Sequence, residues 1–333
     1  MKNKRKLLIA TVLILALILL TGTLLNLNRL RTILSLKMVD DYPLYYVRYY
    51  GNYNLDYAPV EGLGPLATAS TMTDDNTIMC SGFLAKNESG DPLFCRNLDY
   101  TLLNHPISVL LTDAPKKNAS LAMVDLFYLG YNKGNPPNRS LLGNSILYAP
   151  RITIDGVNEY GLAVASLTVP YAKTPFDPNK PSTDEVGIMR LILDYATTVD
   201  EAVDKMKEYN IEFHTDPLHF MIADASGDSV VIEFIEGEII EHRTDEAWQA
   251  CTNFILSTET GNKYCERYIK AVERLEENNG ILSEEEAMKL LSDVTQDGTI
   301  WSVVYNLRSG ETYIAMGRDY DHIIEFDLDM INE

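Results

Sequence analysis

The chain has 333 residues, 46% of them hydrophobic, and a formal net charge of −20. That is enough apolar material for one large core or two modest ones, which excludes a disordered chain. The acidic balance, with no Lys/Arg run beyond the first residues, excludes nucleic acid as a partner and reads as solvated surface, as at Glu276-Glu277 and Glu284-Glu285-Glu286.

Lys2, Lys4, Arg5 and Lys6 precede an uncharged apolar run from Leu7 to Leu27, long enough to span a bilayer as one helix. More leucines follow Thr21-Gly22-Thr23, and there is no Ala-x-Ala, so an uncleaved signal anchor is favoured over a cleaved signal peptide. Positive charge ahead of the run predicts a single-pass protein of the cell membrane with its bulk outside the cytoplasm, although Arg29, Arg31 and Lys37 oppose that bias. Next come Tyr42, Tyr45, Tyr46, Tyr49, Tyr50, Tyr53 and Tyr57. This ring area is too large for a free linker, and Tyr45 to Tyr53 are expected to pack on the protein body. An aromatic belt at the membrane surface is the other reading, and both can hold.

The most informative stretch is Met79-Cys80-Ser81-Gly82-Phe83, followed by Leu93-Phe94-Cys95-Arg96-Asn97-Leu98-Asp99. Asn87-Glu88-Ser89-Gly90-Asp91 between the two apolar runs predicts a β-hairpin, which returns Arg96 and Asp99 to the neighbourhood of Cys80. A thiol attacks carbonyls as the thiolate and needs a base and a positive field. No histidine in the sequence is a convincing partner for Cys80, so its own α-amino group is the natural base, with an ordinary pKa of about 7.7–8.0. That amine exists only if the Met79-Cys80 bond is broken.

Further strands are read at Ser108–Leu111, Ile152–Ile154, Leu162–Leu167, His219–Asp224, Val230–Phe234, Ala250–Phe254, Ser302–Asn306 and Thr312–Gly317. Helices are read at Val186–Ala196, Val199–Tyr209, Lys263–Glu277 and Ser283–Val294, the last with a Ser283/Glu286 capping box. Asp155-Gly156-Val157-Asn158-Glu159-Tyr160-Gly161 reads as a tight connection, with Asn158 structural, and Trp301 to Tyr305 are assigned to packing. Helices in pairs between runs of strands fit an α+β layered domain. Cys95 reads as a small core residue, pairing of Cys251 with Cys265 is left open, and neither the cysteines nor the scattered histidines have metal spacing. No metal or cofactor is expected. Asn118-Ala119-Ser120 and Asn138-Arg139-Ser140 match the short glycan-acceptor pattern.

Cys-Ser-Gly-Phe, a hairpin and Arg-Asn-Leu-Asp resemble the choloylglycine hydrolase and linear amide C–N hydrolase family, which are N-terminal nucleophile hydrolases related to penicillin V acylase and bile salt hydrolase. Asp155 to Ala163, Trp248 to Asn253, Glu266-Arg267-Tyr268 and Trp301 to Asn306 extend the resemblance in the same order, over residues 80 to about 328. It implies a four-layer αββα sandwich of the N-terminal nucleophile hydrolase type. The division is then a cytoplasmic stub and transmembrane signal anchor at 1–27, a stem and pro-segment at 28–79, and the hydrolase domain at 80–333.

The resemblance also implies the roles. Cys80 is the nucleophile, Arg96 favours its thiolate, Asp99 orients the new amine, and Arg267 is a second positive group. Asn253 donates to the oxyanion, and removing one such donor typically costs about 10²–10³ in turnover. The second oxyanion donor is a backbone N–H that falls on Thr168, where relatives that hydrolyse bile salts tend to have asparagine. The implied activity is cleavage of a linear, non-peptide amide in a small-molecule substrate through an acyl-Cys80 intermediate, after autoproteolysis before Cys80. An acyltransferase of the same fold, or an uncleaved and inactive membrane-tethered binding protein, are the alternatives. Substrate and oligomeric state are not written in the residues.

Overall fold

Apolar residues at every second position decide the layers. In the hairpin of β3 (Met79–Lys86) and β4 (Pro92–Asp99), Leu84, Phe94 and Leu98 join one core with Met123, Val157, Ala165 and Met221, while Phe83, Ala85, Leu93 and Cys95 join another with Ala271, Leu275, Leu290 and Leu291. The hairpin is therefore buried on both faces. The computed structural model describes residue 11 and residues 27–53, 79–100, 105–214, 216–258 and 264–331.

Among these residues the larger sheet has nine strands in the order β1 (Lys37–Asp40), β2 (Leu44–Tyr50), β5 (Ile107–Asp113), β6 (Ser120–Asp125), β7 (Thr153–Asn158), β8 (Ala163–Thr168), β11 (Leu218–Ala223), β12 (Ser229–Ile235) and β13 (Glu238–Arg243). The smaller has six, β14 (Gln249–Cys251), β3, β4, β15 (Thr299–Asn306), β16 (Glu311–Met316) and β17 (Ile323–Asp327). A short parallel pair, β9 (Ser182–Asp184) and β10 (Asn210–Glu212), stands apart.

Residues 27–35 are helical (α1). Two helices, α2 (Glu185–Tyr195) and α3 (Val199–Lys207), bury Ile188, Ile192, Val203 and Met206 against Val164, Phe220 and Ile232 on the outside of the larger sheet. On the outside of the smaller sheet lie α4 (Glu266–Glu277) and α5 (Glu284–Asp293). The layers run helices, sheet, sheet, helices, each apolar face covered by the next. Leu275 of α4 is fully buried, and truncating it to alanine is expected to cost about 2–5 kcal/mol. The Ser283/Glu286 capping box is formed. Gly161 closes the β7–β8 connection at φ +77°, where a Cβ would stand 2.1 Å from the Leu307 carbonyl oxygen, so no other residue fits.

Several elements differ from the sequence reading. β2 lies in the larger sheet, parallel to β5 with Leu44 opposite Ile107 and Tyr50 opposite Asp113, so that sheet is shared by chain from both sides of Cys80. Strands β1, β2, β6, β9, β10, β13 and β17 are additional to those read from the sequence, and the strand expected at Ala250–Phe254 ends at Cys251. The anchor expected at 7–27 lies outside the described residues except for residues 11 and 27. Among the described residues no helix is long and apolar enough to cross a membrane. All four cysteines are free thiols, so Cys251 and Cys265 do not pair.

Candidate active site

The β3–β4 ladder sets Met79 opposite Asp99, Cys80 opposite Leu98 and Gly82 opposite Arg96. Cys80 and Arg96 consequently turn to the same face, between the two sheets, where both are almost wholly buried. One guanidinium nitrogen of Arg96, Nη2, donates to Cys80 Sγ at 3.3 Å and to the Ser166 carbonyl at 2.7 Å. The other, Nη1, donates to the Ile154 carbonyl at 3.1 Å and to Asp155 Oδ2 at 2.5 Å.

Burial alone would lower the Arg96 pKa, but Cys80 and Asp155 outweigh it and raise it above its ordinary value. Asp155 is itself fixed by Trp301 Nε1 at 3.1 Å and Tyr305 Oη at 2.6 Å. These two aromatics pack, as expected, yet their polar tips also orient the carboxylate that orients Arg96. Burial raises the Cys80 thiol above its ordinary value despite the Arg96 charge and hydrogen bond, with Asp99 raising it further and Arg267 lowering it. The thiol is thus harder to ionise than a free cysteine, with the Arg96 cation beside it.

The remaining expected residues gather around the main chain of Cys80. Asn253 leaves the end of β14, and its Oδ1 accepts from the Cys80 amide N–H at 2.7 Å and from Arg267 Nη2 at 2.9 Å. Nη1 of Arg267 donates to the Cys80 carbonyl and, at 2.9 Å, to Ser81 Oγ, and it lies 3.7 Å from Asp99 Oδ2. Although helical arginines usually face solvent, this one binds the Cys80 backbone. Asp99 accepts from Thr299 Oγ1 at 2.5 Å; burial raises its pKa while Thr299, Arg267 and Arg96 pull it down. Thr168 enters by its carbonyl, which accepts from Asn253 Nδ2 at 2.8 Å, so the side-chain donor expected for the oxyanion is occupied in the uncut chain. Asn158 is structural: it donates to the Leu193 and Ala196 carbonyls and accepts from the Tyr160 and Leu162 amides.

Three functional supports escaped the sequence reading: Asp155, Thr299 and Glu233. The last accepts from the Leu256 and Ser257 amides at 2.5 and 3.0 Å and from His242 at 2.8 Å, which pins the loop that follows Asn253. Burial would raise the Glu233 pKa, but His219, 3.7 Å away, and hydrogen bonds from His242 and Ser257 drive it far below the carboxylate range. A signal for Asp155 was present: a charged residue in a strand between sheets requires a partner, and Arg96 was the buried cation in search of one. Beside Arg96 opens a cavity of about 70 Å³ lined by Leu98, Tyr100, Ile154, Thr168, Glu185 and Met189, among others. The Thr168 hydroxyl is buried there without a partner.

The sequence profile of the linear amide C–N hydrolases, choloylglycine hydrolase family, matches residues 80–247, starting at Cys80 itself. The chain belongs to that family of hydrolases. Among curated proteins it is 34% identical over 113 residues to a penicillin V acylase of Pectobacterium atrosepticum, a match that spans 30% of this chain and 30% of that relative's length. Among solved structures it resembles a penicillin V acylase from Agrobacterium tumefaciens (TM-score 0.56, 19% identity, 75% of this chain and 87% of that one). A mutant conjugated bile acid hydrolase from Clostridium perfringens is also similar (TM-score 0.54, 17% identity, 76% and 93%). At such identities the likeness is one of fold.

Proposed function

We propose that this protein is a cysteine amidohydrolase that cleaves a linear amide of a small molecule by acyl transfer to Cys80 and then to water, once the Met79–Cys80 peptide has opened. The observation that carries the reading is the enclosure of one backbone unit: Sγ of Cys80 is held by Arg96, its N–H by Asn253 and its C=O by Arg267. In the maturation step Sγ bonds to the Met79 carbonyl carbon as the C–N bond breaks and the amine leaves with the thiol proton. Water then hydrolyses the thioester to a Met79 carboxylate and a free thiol. The liberated amine accepts the thiol proton in each later turnover and returns it to the departing amine of the substrate.

Asp99, one residue away across the ladder, supports the amine, and Arg96 stabilises the thiolate. Asn253 Nδ2, released from the Thr168 carbonyl, and the Thr168 backbone N–H serve the tetrahedral oxyanion. Residues 7–27 anchor the chain in the cell membrane with the hydrolase outside the cytoplasm, a reading supported by the apolar run and the basic residues ahead of it. Because β2 is a strand of the larger sheet, paired with β5 from beyond Cys80, the N-terminal fragment that carries it stays bound after the cut.

Intact mass of the purified protein and a burst assay with a chromogenic amide test the proposal. The expected result is a fragment starting at Cys80 and stoichiometric acyl-enzyme, both abolished in Cys80→Ala. An enzyme that turns over with the Met79–Cys80 bond intact overturns it, and an intact chain that binds amides without turnover identifies a tethered binder instead.

A further inference from the structure

We infer that the face formed by α1 and the 141–148 loop lies on the surface of a lipid bilayer, with Leu141 and Leu142 inserted among the lipids. This rests on the membrane-anchor reading above. Leu142 is 88% exposed, Tyr148 65% and Leu141 62%. Those three are neighbours: with Arg29, Leu30 and Tyr49 they line a single open groove of about 890 Å³ between α1 and the loop. Large apolar side chains clustered at a surface mark an interaction site, whereas scattered ones do not.

The occupant follows from where the chain enters. Along α1, Leu27, Leu30 and Leu34 are exposed, while Ile33 and, just beyond, Leu36 are buried in the core, so the chain reaches the body on this face directly from the apolar run that ends at Leu27. A helix leaving a bilayer at that point holds the groove against the lipid. Arg29 stands in the groove and Arg31 stacks over Tyr50 at 4.1 Å, where guanidinium groups meet phosphates and tyrosines take the interfacial position. With a net charge of −20 the whole molecule is repelled by anionic headgroups, so insertion of leucine, and not charge, must hold the face down.

The full chain is reconstituted in phosphatidylcholine vesicles with Leu142→Trp as the reporter, a substitution at a solvent-exposed position that leaves the core intact. Phe176→Trp, also at an exposed position, is the control. With brominated acyl chains, emission from the reporter indole is expected to fall by about half or more and to lose little of that quenching in 0.5 M salt, the persistence expected of insertion that does not depend on screened charge. The control should keep its emission. Flotation of the same vesicles reports the anchor separately. A chain that floats with its reporter unquenched overturns the docking face alone, and a chain left in the aqueous fraction overturns anchor and face together. Blue-shifted emission that lipid bromines do not quench, with a doubled mass in detergent, assigns the face to a second copy and overturns the bilayer as its occupant.

Discussion

Two buried arginine–aspartate centres sit on opposite sides of the larger sheet, built from the same chemistry and put to different ends. At the first, Asp155 gathers Arg96, Trp301 and Tyr305, and Arg96 spends its other nitrogen on the Cys80 sulfur. At the second, Asp194 gathers Arg190 at 2.7 Å, Lys117 at 2.8 Å and the Tyr53 hydroxyl at 2.5 Å, with the Lys117 ammonium 3.9 Å from the Tyr53 ring centroid. The difference lies in what the carboxylate and its arginine hold. One centre aims a cation at the Cys80 sulfur, and the other fastens the last described residue before the 54–78 segment to the protein body. Buried ion pairs tolerate loss of one partner poorly, so both centres are points where a single substitution reports its purpose.

Removing Arg96 is the harshest way to break the comparison. Arg96→Leu strands Asp155 between the sheets and is expected to cost about 3–5 kcal/mol, measured by urea unfolding in a Cys80→Ala background so that cutting does not intervene. Arg190→Leu leaves Asp194 with Lys117 and should cost less; equal losses would show that the two centres are not built differently. Next in size are the paired tyrosines. Tyr305→Phe and Tyr53→Phe each remove a hydrogen bond to a buried carboxylate, about 1.5–3 kcal/mol. Only Tyr53→Phe should let the cut N-terminal fragment dissociate on size exclusion in moderate urea, and only Tyr305→Phe should lower turnover.

The mildest test is of proton affinity. Burial raises the Cys80 thiol in the uncut chain, so its thiolate forms only at higher pH than that of a free cysteine. Iodoacetamide labelling of Cys80, followed by peptide mass, should have its pH midpoint above about 8.5, the ordinary thiol value. Under the proposed maturation the cut enzyme needs a neutral amine, and its activity should rise with pH through about 7.7–8.0. A midpoint unchanged by cutting would separate the amine from the chemistry.

How much of this was written in the sequence varies with the range of the interaction. Cys80, Arg96 and Asp99 were legible because a turn at Asn87 to Asp91 folds two runs together, and a hairpin is local. Asn253 and Arg267 were placed by the family resemblance; no local pattern shows that a helical arginine reaches a backbone carbonyl 187 residues away. Asp155 was hidden inside a segment read as a turn, because its glycine and asparagine suit turns as well as a strand under close packing. Strand β2 was missed for a similar reason. Its tyrosines pack on the protein body as the sequence leads one to expect, with Tyr45 buried, but Leu44 to Tyr50 pairs with β5, more than fifty residues further on, and pairing at that distance leaves no mark in composition. Strand β13, Glu238 to Arg243, is largely polar and edges the sheet, so the alternation that marks half-buried strands was weak there.

Asn253 and Arg267 grip the N–H and the C=O of Cys80 from far downstream in the chain, which under the proposed maturation would give the protein a form of self-inspection. A ribosome must have passed Arg267, and both sheets must have met, before the bond ahead of position 80 is surrounded by the groups that would open it. A misassembled molecule would stay whole and silent, so the ratio of cut to uncut protein in a cell extract would read out how many copies had been built correctly.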